Sequence, residues 1–222
     1  MKRIAAFASG GGSNLEALAA YLVALGTAAP AAMAVVVSHR NTAGALERAA
    51  RRGIAGVVIG NPADADAILT LLNQHRVDLI VLAGYLKHVP AAVTEAFAGR
   101  IVNTHPALLP RHGGAGMYGQ RVHHAVLDAH DAESGATVHF VDAQYDRGAT
   151  IVQARVPVNV GDTPDTLAAR VLTAEHFILP RAVHALAVEA VHLGERSSAV
   201  VEPAAVPLFA NPPGGVTVAL GG

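Results

Sequence analysis

The chain has no cysteine at all. That absence excludes disulfides, thiolate zinc sites and a cysteine nucleophile together, and it fits a reducing compartment. Lysine is nearly missing as well: only Lys2 and Lys87 occur, and the other basic residues are arginines. Formal net charge is −1 and no long basic run exists. The clustered cations needed to neutralise nucleic-acid phosphates are therefore lacking, and no nucleic-acid partner is expected. No stretch of about 18 apolar residues runs free of charge, so no membrane span is expected. The apolar run Ile4 to Ala8 meets glycines at once and is too short for a signal-peptide core. A cytoplasmic location is the expectation.

What is present is apolar and periodic. The 222 residues are 52% hydrophobic, enough for one α/β domain with a large core. Arg3–Ala8, Ala34–Ser38, Gly56–Ile59, Leu79–Ala83 and Ile101–Thr104 read as buried strands, their continuous Val/Ile/Leu/Ala character suiting parallel pairing. Leu15–Leu25, Ala43–Arg52, Asp64–His75 and Ala91–Ala98 read as the helices between them. This alternation predicts right-handed crossovers and a doubly wound, mostly parallel sheet. Ala136–Val141 and Thr150–Val158 then predict an antiparallel edge, with a helix over Gln120–Ala129 before them. A long helical pattern runs from Thr163 to about Leu193, with Thr163 as N-cap, Pro164 at the first position and a kink or break at Pro180. The domain is expected to span 1–194, followed by a Pro- and Gly-rich tail over 195–222.

Two segments carry chemistry. Ser9-Gly10-Gly11-Gly12-Ser13-Asn14 lies between the first strand and the first helix. Glycines let backbone N–H groups approach a ligand, and a helix N-terminus favours a phosphate there. The competing reading is a tight turn capped by Ser or Asn. A dinucleotide fingerprint fits less well: the third glycine is missing, and the second strand ends in Ser38-His39-Arg40 without an acidic residue.

The other segment is Asn103-Thr104-His105-Pro106 at the end of the fifth strand. Alternation points Asn103 and His105 the same way, at the carboxyl ends of the strands where open α/β sheets bind ligands. An amide and an imidazole so placed suit an oxyanion and a moving proton. Asp146 would complete the set and raise the pKa of His105; Asp142 competes for that place. A metal is not expected. His123 and His124 are adjacent and so diverge on a helix, and no H-E-x-x-H occurs. His139 reads as a hydrogen-bonded core residue, and His176 as a residue that either faces the site or packs.

Five blocks fall in one order: Ser9–Leu15 (SGGGSNL), Val81–Tyr85 (VLAGY), Asn103–Pro110 (NTHPALLP), Val138–Val141 (VHFV) and Ala169–His176 (ARVLTAEH). In this the chain, from about residue 3 to 193, resembles the phosphoribosylglycinamide formyltransferases of the folate-dependent formyltransferase family. The resemblance implies a Rossmann-like α/β fold, 10-formyltetrahydrofolate as co-substrate and glycinamide ribonucleotide as acceptor; a monomer or homodimer is the expectation. It implies a catalytic trio of Asn103, His105 and Asp146. Gly12, Ser13 and Asn14 fall to the ribonucleotide phosphate and Glu175 to the rest of that substrate. Leu86, Lys87, His88 and Val89, together with Asp142, Ala143, Gln144, Tyr145 and Asp146, fall to the pterin, with Asn103 beside them. Three features depart from the pattern: no Arg between Gly60 and Leu69, Leu172 where many members have Gln, and a longer stretch over Arg111–Gln120. Rival readings are a 10-formyltetrahydrofolate hydrolase, another folate-dependent formyltransferase such as the methionyl-tRNA enzyme, and a non-catalytic nucleotide-binding module.

Overall fold

The computed structural model describes residues 1–221 and divides into two compact units. The first holds residues 1–103 with 141–143, and the second Thr104–Phe140 with the chain from Gln144 onward.

In the first unit, strands and helices alternate: β1 (Lys2–Phe7), α1 (Ser13–Leu25), β2 (Ala31–Ser38), α2 (Gly44–Arg51), β3 (Ala55–Val58), α3 (Ala65–Gln74), β4 (Leu79–Leu82), α4 (Ala91–Ala96) and β5 (Ile101–His105), of which residues 101–103 belong to this unit. Every pairing among these strands is parallel, in the order β5, β4, β1, β2, β3. All four residues of β4 and the last four of β1 are buried, as central strands covered on both faces require. Phe7, Val35, Val37, Ile80 and Ile101 form the centre of one core cluster, with Ile68, Leu72 and Val93 from the helices. The expectation of a buried third strand fails. Among the described residues β3 pairs only with β2, at the sheet edge, and it is mostly exposed, with Ile59 just beyond it buried. Its short Val-rich run reads the same in sequence whether the strand is central or lateral.

The second unit contains α5 (Gln120–Asp128), β6 (Glu133–Phe140), β7 (Thr150–Pro157), α6 (Pro164–Ala187), β8 (Val191–Leu193), β9 (Ala199–Val201) and β10 (Thr217–Leu220). β6 and β10 both pair with β7, antiparallel, and β8 pairs with β9. A mostly parallel α/β fold with an antiparallel part is thus present as expected. The segment read as a tail supplies β9 and β10.

α6 starts as expected, with Thr163 and Thr166 closing a capping box and Pro164 at the first turn. It departs from expectation twice. It runs through Pro180, although proline cannot donate to the carbonyl four residues back. Nearly every residue from Phe177 to Ala187 is buried, so packing holds the helix; Arg181 also folds back to donate to the Phe177 carbonyl at 2.9 Å. It then stops at Ala187 rather than near Leu193. Glu189 takes a left-handed conformation, and the N–H groups of Glu189 and Ala190 bond the carbonyls of Leu186 and Ala185. That is a Schellman cap without the usual glycine.

Candidate active site

The glycine loop of the first unit is built by backbone. Gly12 is the N-cap of α1, left-handed at φ 78°, and no side chain caps the helix. The competing reading of a Ser or Asn cap is thereby set aside. A Cβ on Gly12 would lie 2.8 Å from Ala45 of α2, so this residue meets both a conformational and a steric demand. Gly10 and Gly11 face open space. Ser13 is half-buried, and the side-chain oxygen of buried Asn14 has no hydrogen-bond partner among the described residues. The N-terminus of α1 is left with the free donors and partial positive charge that suit an anion.

Ser9 ties this loop to the segment after β4. Its hydroxyl accepts from the Leu86 N–H at 2.8 Å and meets His39 Nδ1 at 3.2 Å. Burial, with Lys87 and Arg40 nearby, holds His39 below its ordinary pKa. Leu86, Lys87 and His88 are exposed and Val89 is buried. His88 Nε2 donates to the Ala143 carbonyl at 3.2 Å, which joins two of the segments expected at the pterin. Asp142, Ala143, Gln144 and Tyr145 are all exposed, and Tyr145 is among the large exposed hydrophobic residues of the second unit.

The second unit assembles the histidines. His105 ends β5 and is 4% exposed. Its Nδ1 lies 3.5 Å from Asp146 Oδ2, and its Nε2 donates to the His112 carbonyl at 2.8 Å. Asp146, rather than the competing Asp142, is thus the carboxylate that meets His105. Asp146 Oδ2 also accepts from the Gly114 N–H at 2.9 Å, and Oδ1 lies 3.6 Å from His139 Nε2. Backbone comes close next door: a Cβ on Gly113 would lie 2.5 Å from the end of the Leu109 side chain and 3.2 Å from the Asp146 Cβ, so both would have to give way. Thr137 and Gln153 brace the approach: Thr137 Oγ1 donates to the Ala107 carbonyl, and Gln153 donates to the Leu109 carbonyl.

The electrostatics reverse one expectation. Burial is the largest influence on His105 and holds its pKa below the ordinary value, although Asp146 and the His112 carbonyl push upward. The gap to Asp146 exceeds a hydrogen bond, so the carboxylate does not outweigh desolvation of a ring this deeply buried. For Asp146 burial is again largest and acts upward, but His139, His105 and the Gly114 N–H together hold it below the usual carboxylate value. Above the ordinary histidine pKa of about 6.5 the pair is therefore a neutral imidazole facing an ionised carboxylate.

Glu175 sits elsewhere in this unit, 7% exposed, accepting from the Thr104 hydroxyl at 3.1 Å. Asn103 belongs to the first unit and is half-buried; it precedes His105 by two residues on one strand and shares its face by alternation. Among the described residues, no group of three or more His, Asp or Glu side chains is arranged to hold a metal ion. No helix among them is long and apolar enough to cross a membrane.

Sequence reading missed His112 and Asp131. His112 Nε2 meets Asp131 Oδ2 at 2.7 Å, and Arg111 pairs with the same carboxylate. The pair Gly113-Gly114 was a signal for close backbone approach beside His112; Asp131 carried none.

Residues 2–183 match the model of the formyl transferase family. A chloroplastic phosphoribosylglycinamide formyltransferase of Arabidopsis thaliana is 38% identical over 195 residues, covering 85% of this chain. The chain covers 66% of that relative, just under two thirds of its length. A phosphoribosylglycinamide formyltransferase of Haemophilus influenzae is 39% identical over 188 residues, covering 81% of this chain and 84% of the relative. The crystal structure of glycinamide ribonucleotide transformylase 1 from Symbiobacterium toebii superposes with a TM-score of 0.83 at 35% identity, covering 91% of this chain and 94% of that one.

Proposed function

Because the chain belongs to the formyl transferase family, we propose that it transfers the formyl group of 10-formyltetrahydrofolate to the amine of 5-phosphoribosylglycinamide, a step of purine (IMP) synthesis. The observation that carries this reading is the buried His105–Asp146 pair at the end of β5, two residues after Asn103. The catalytic residues are Asn103, His105 and Asp146, all within the 1–194 portion assigned to catalysis; 195–222 is an extension of it. Both small molecules bind together in a cytoplasmic enzyme that needs no metal, nucleic acid or membrane.

Transfer is direct, since the chain has no cysteine and no G-x-S-x-G nucleophile elbow. The substrate amine attacks the formyl carbon, and the carbonyl oxygen becomes an oxyanion that the Asn103 amide stabilises. Neutral His105, with Nε2–H fixed on the His112 carbonyl, has Nδ1 available as the base. Nδ1 takes the proton that the attacking nitrogen loses, and Asp146 steadies the imidazolium. The bond from the formyl carbon to the folate nitrogen breaks, and the proton passes to that leaving nitrogen. The α1 N-terminus with Gly12, Ser13 and Asn14 holds the ribonucleotide phosphate, and Glu175, which accepts from the Thr104 hydroxyl, contacts the same substrate. Leu86–Val89 and Asp142–Asp146 hold the pterin.

The test follows loss of the formyl group from 10-formyltetrahydrofolate with and without glycinamide ribonucleotide. Loss that requires the ribonucleotide, with formylated product, supports the reading. Formate release without an amine acceptor would instead mark a hydrolase, and binding of both molecules without turnover a non-catalytic module.

A further inference from the structure

His112 carries two contacts at once. Its main-chain carbonyl accepts from His105 Nε2 at 2.8 Å, and its own ring Nε2 meets Asp131 Oδ2 at 2.7 Å. The residue holds a left-handed backbone, φ 54°, which a side chain with a Cβ disfavours. Something must keep it there, and the Asp131 contact is placed to do so. Asp131 is itself anchored by backbone. It follows α5, where His130 is left-handed and the N–H groups of His130 and Asp131 bond the carbonyls of Leu127 and Val126. This is a Schellman cap, so the position of Asp131 is set by the end of a helix. Its carboxylate is 8% exposed and is held below the usual value: burial, the largest influence, pushes up, and the His112 and Arg111 contacts overcome it.

We infer that Asp131 is a positioning residue for His105, acting through His112. A carbonyl only accepts, so the His112 oxygen requires a hydrogen on His105 Nε2. That choice leaves Nδ1 as the nitrogen that gains and loses the proton, 3.5 Å from the Asp146 carboxylate that favours its protonated form. Asp131 touches neither His105 nor a reacting atom in this arrangement; it holds the segment that selects the tautomer and fixes the ring. The inference gives part of the Arg111–Gln120 stretch a task, and it rests on the reading of His105 as the proton-bearing group.

The experiment uses the full chain and the variants Asp131→Ala, Asp131→Asn and His112→Ala, each checked for an unchanged melting transition. The first readout is the two-bond ¹⁵N–¹H pattern of the His105 ring, recorded without substrate at a pH where it is neutral. Wild type should show the Nε2–H form alone. Asp131→Ala and His112→Ala should each show a mixture of both tautomers. The second readout is turnover, which should fall about tenfold in both with KM little changed, as for lost groups that orient a functional imidazole. Asp131→Asn keeps an acceptor for the His112 N–H and should retain the wild-type pattern. The double variant Asp131→Ala with His112→Ala should be no worse than either alone. An unmixed tautomer in Asp131→Ala, or an Asn variant as damaged as the Ala variant, would overturn the inference. The ring pattern needs no formyl transfer. If tautomers mix in a chain that transfers nothing, the functional reading falls and the positioning role stands.

Discussion

The glycine loop of the first unit and the histidine array of the second use different materials. Gly10 to Asn14 works through backbone: a left-handed glycine, a helix N-terminus and a close approach to α2. The array around His105 works through side chains that arrive from three separate places, at 105, 139 and 146, and through the carbonyl of His112, with Asp131 behind it. A backbone site is written in consecutive residues. A side-chain site is written in the fold, and its charge states are set by burial as much as by neighbours. The largest test of that contrast removes the array. Asn103→Ala or His105→Ala should lower kcat by about 10²–10³, the usual cost of one preorganised group, with modest change in KM. Steady-state kinetics with both substrates checks this, and a KM effect that dominates would move either residue from the chemistry to binding.

Asp146→Asn should come next. It removes the carboxylate that steadies the imidazolium and keeps the shape, so kcat should fall by more than tenfold. It also removes an upward influence on a histidine already held down by burial. The His105 titration should therefore move to still lower pH, as an NMR titration of both proteins would show. Equal midpoints would mean that the 3.5 Å pair is geometry without coupling.

The backbone site predicts a smaller, differently shaped effect. Gly12 is a poor probe, because any side chain there collides with Ala45. Gly11 has open space around it, so Gly11→Leu should fold normally while it obstructs the phosphate. The KM for glycinamide ribonucleotide should rise roughly tenfold, about the loss of one charge-assisted hydrogen bond, with the folate KM unchanged. Equal changes in both constants would detach the loop from the ribonucleotide.

The same contrast explains what could be read from the sequence. Strand and helix order in the first unit was legible, since each apolar run matched one element within a residue or a few. The exposure of β3 was not, because edge and centre are properties of the sheet. Thr163 announced its helix through a capping residue followed by proline, whereas the helix end at Ala187 used Glu189 in a conformation where glycine is the usual signal. Pro180 looked like a break, and only burial around it shows why it is not. At the candidate site, the meeting of His105 with Asp146 could be anticipated from motif order, with Asn103 on the same strand as His105. The direction of the His105 shift could not, since it depends on how much water the fold removes. His112 and Asp131 stayed hidden because one contributes a carbonyl, which every residue has, and the other a helix end.

The mildest test uses acid to separate the two regions. Burial holds His105, His123, His176 and His184 of the second unit below their ordinary pKa, against His39 in the first. A histidine whose folded pKa is depressed binds its proton more readily in the unfolded chain, whose value is about 6.5. The unfolded state is then favoured as pH falls through that value, so the contribution to stability is complete above it and is lost below. Asp146 and Asp131 are depressed carboxylates, whose contribution persists until pH falls below about 3.9. Acid loss should thus come in two stages, the histidines first and the carboxylates later. The first stage should be concentrated in the second unit, where α5 carries the buried His123, its Nδ1 without a hydrogen-bond partner among the described residues, and α6 carries His176 and His184. Amide hydrogen exchange across the range of histidine titration, about pH 8 to 5, should show α5 and α6 losing protection before β1, β2 and β4. His123→Leu should blunt that loss, because one titrating group is gone and its orphaned nitrogen with it. Protection that falls equally in both units, or an unchanged slope in His123→Leu, would show that the buried histidines do not govern the acid response.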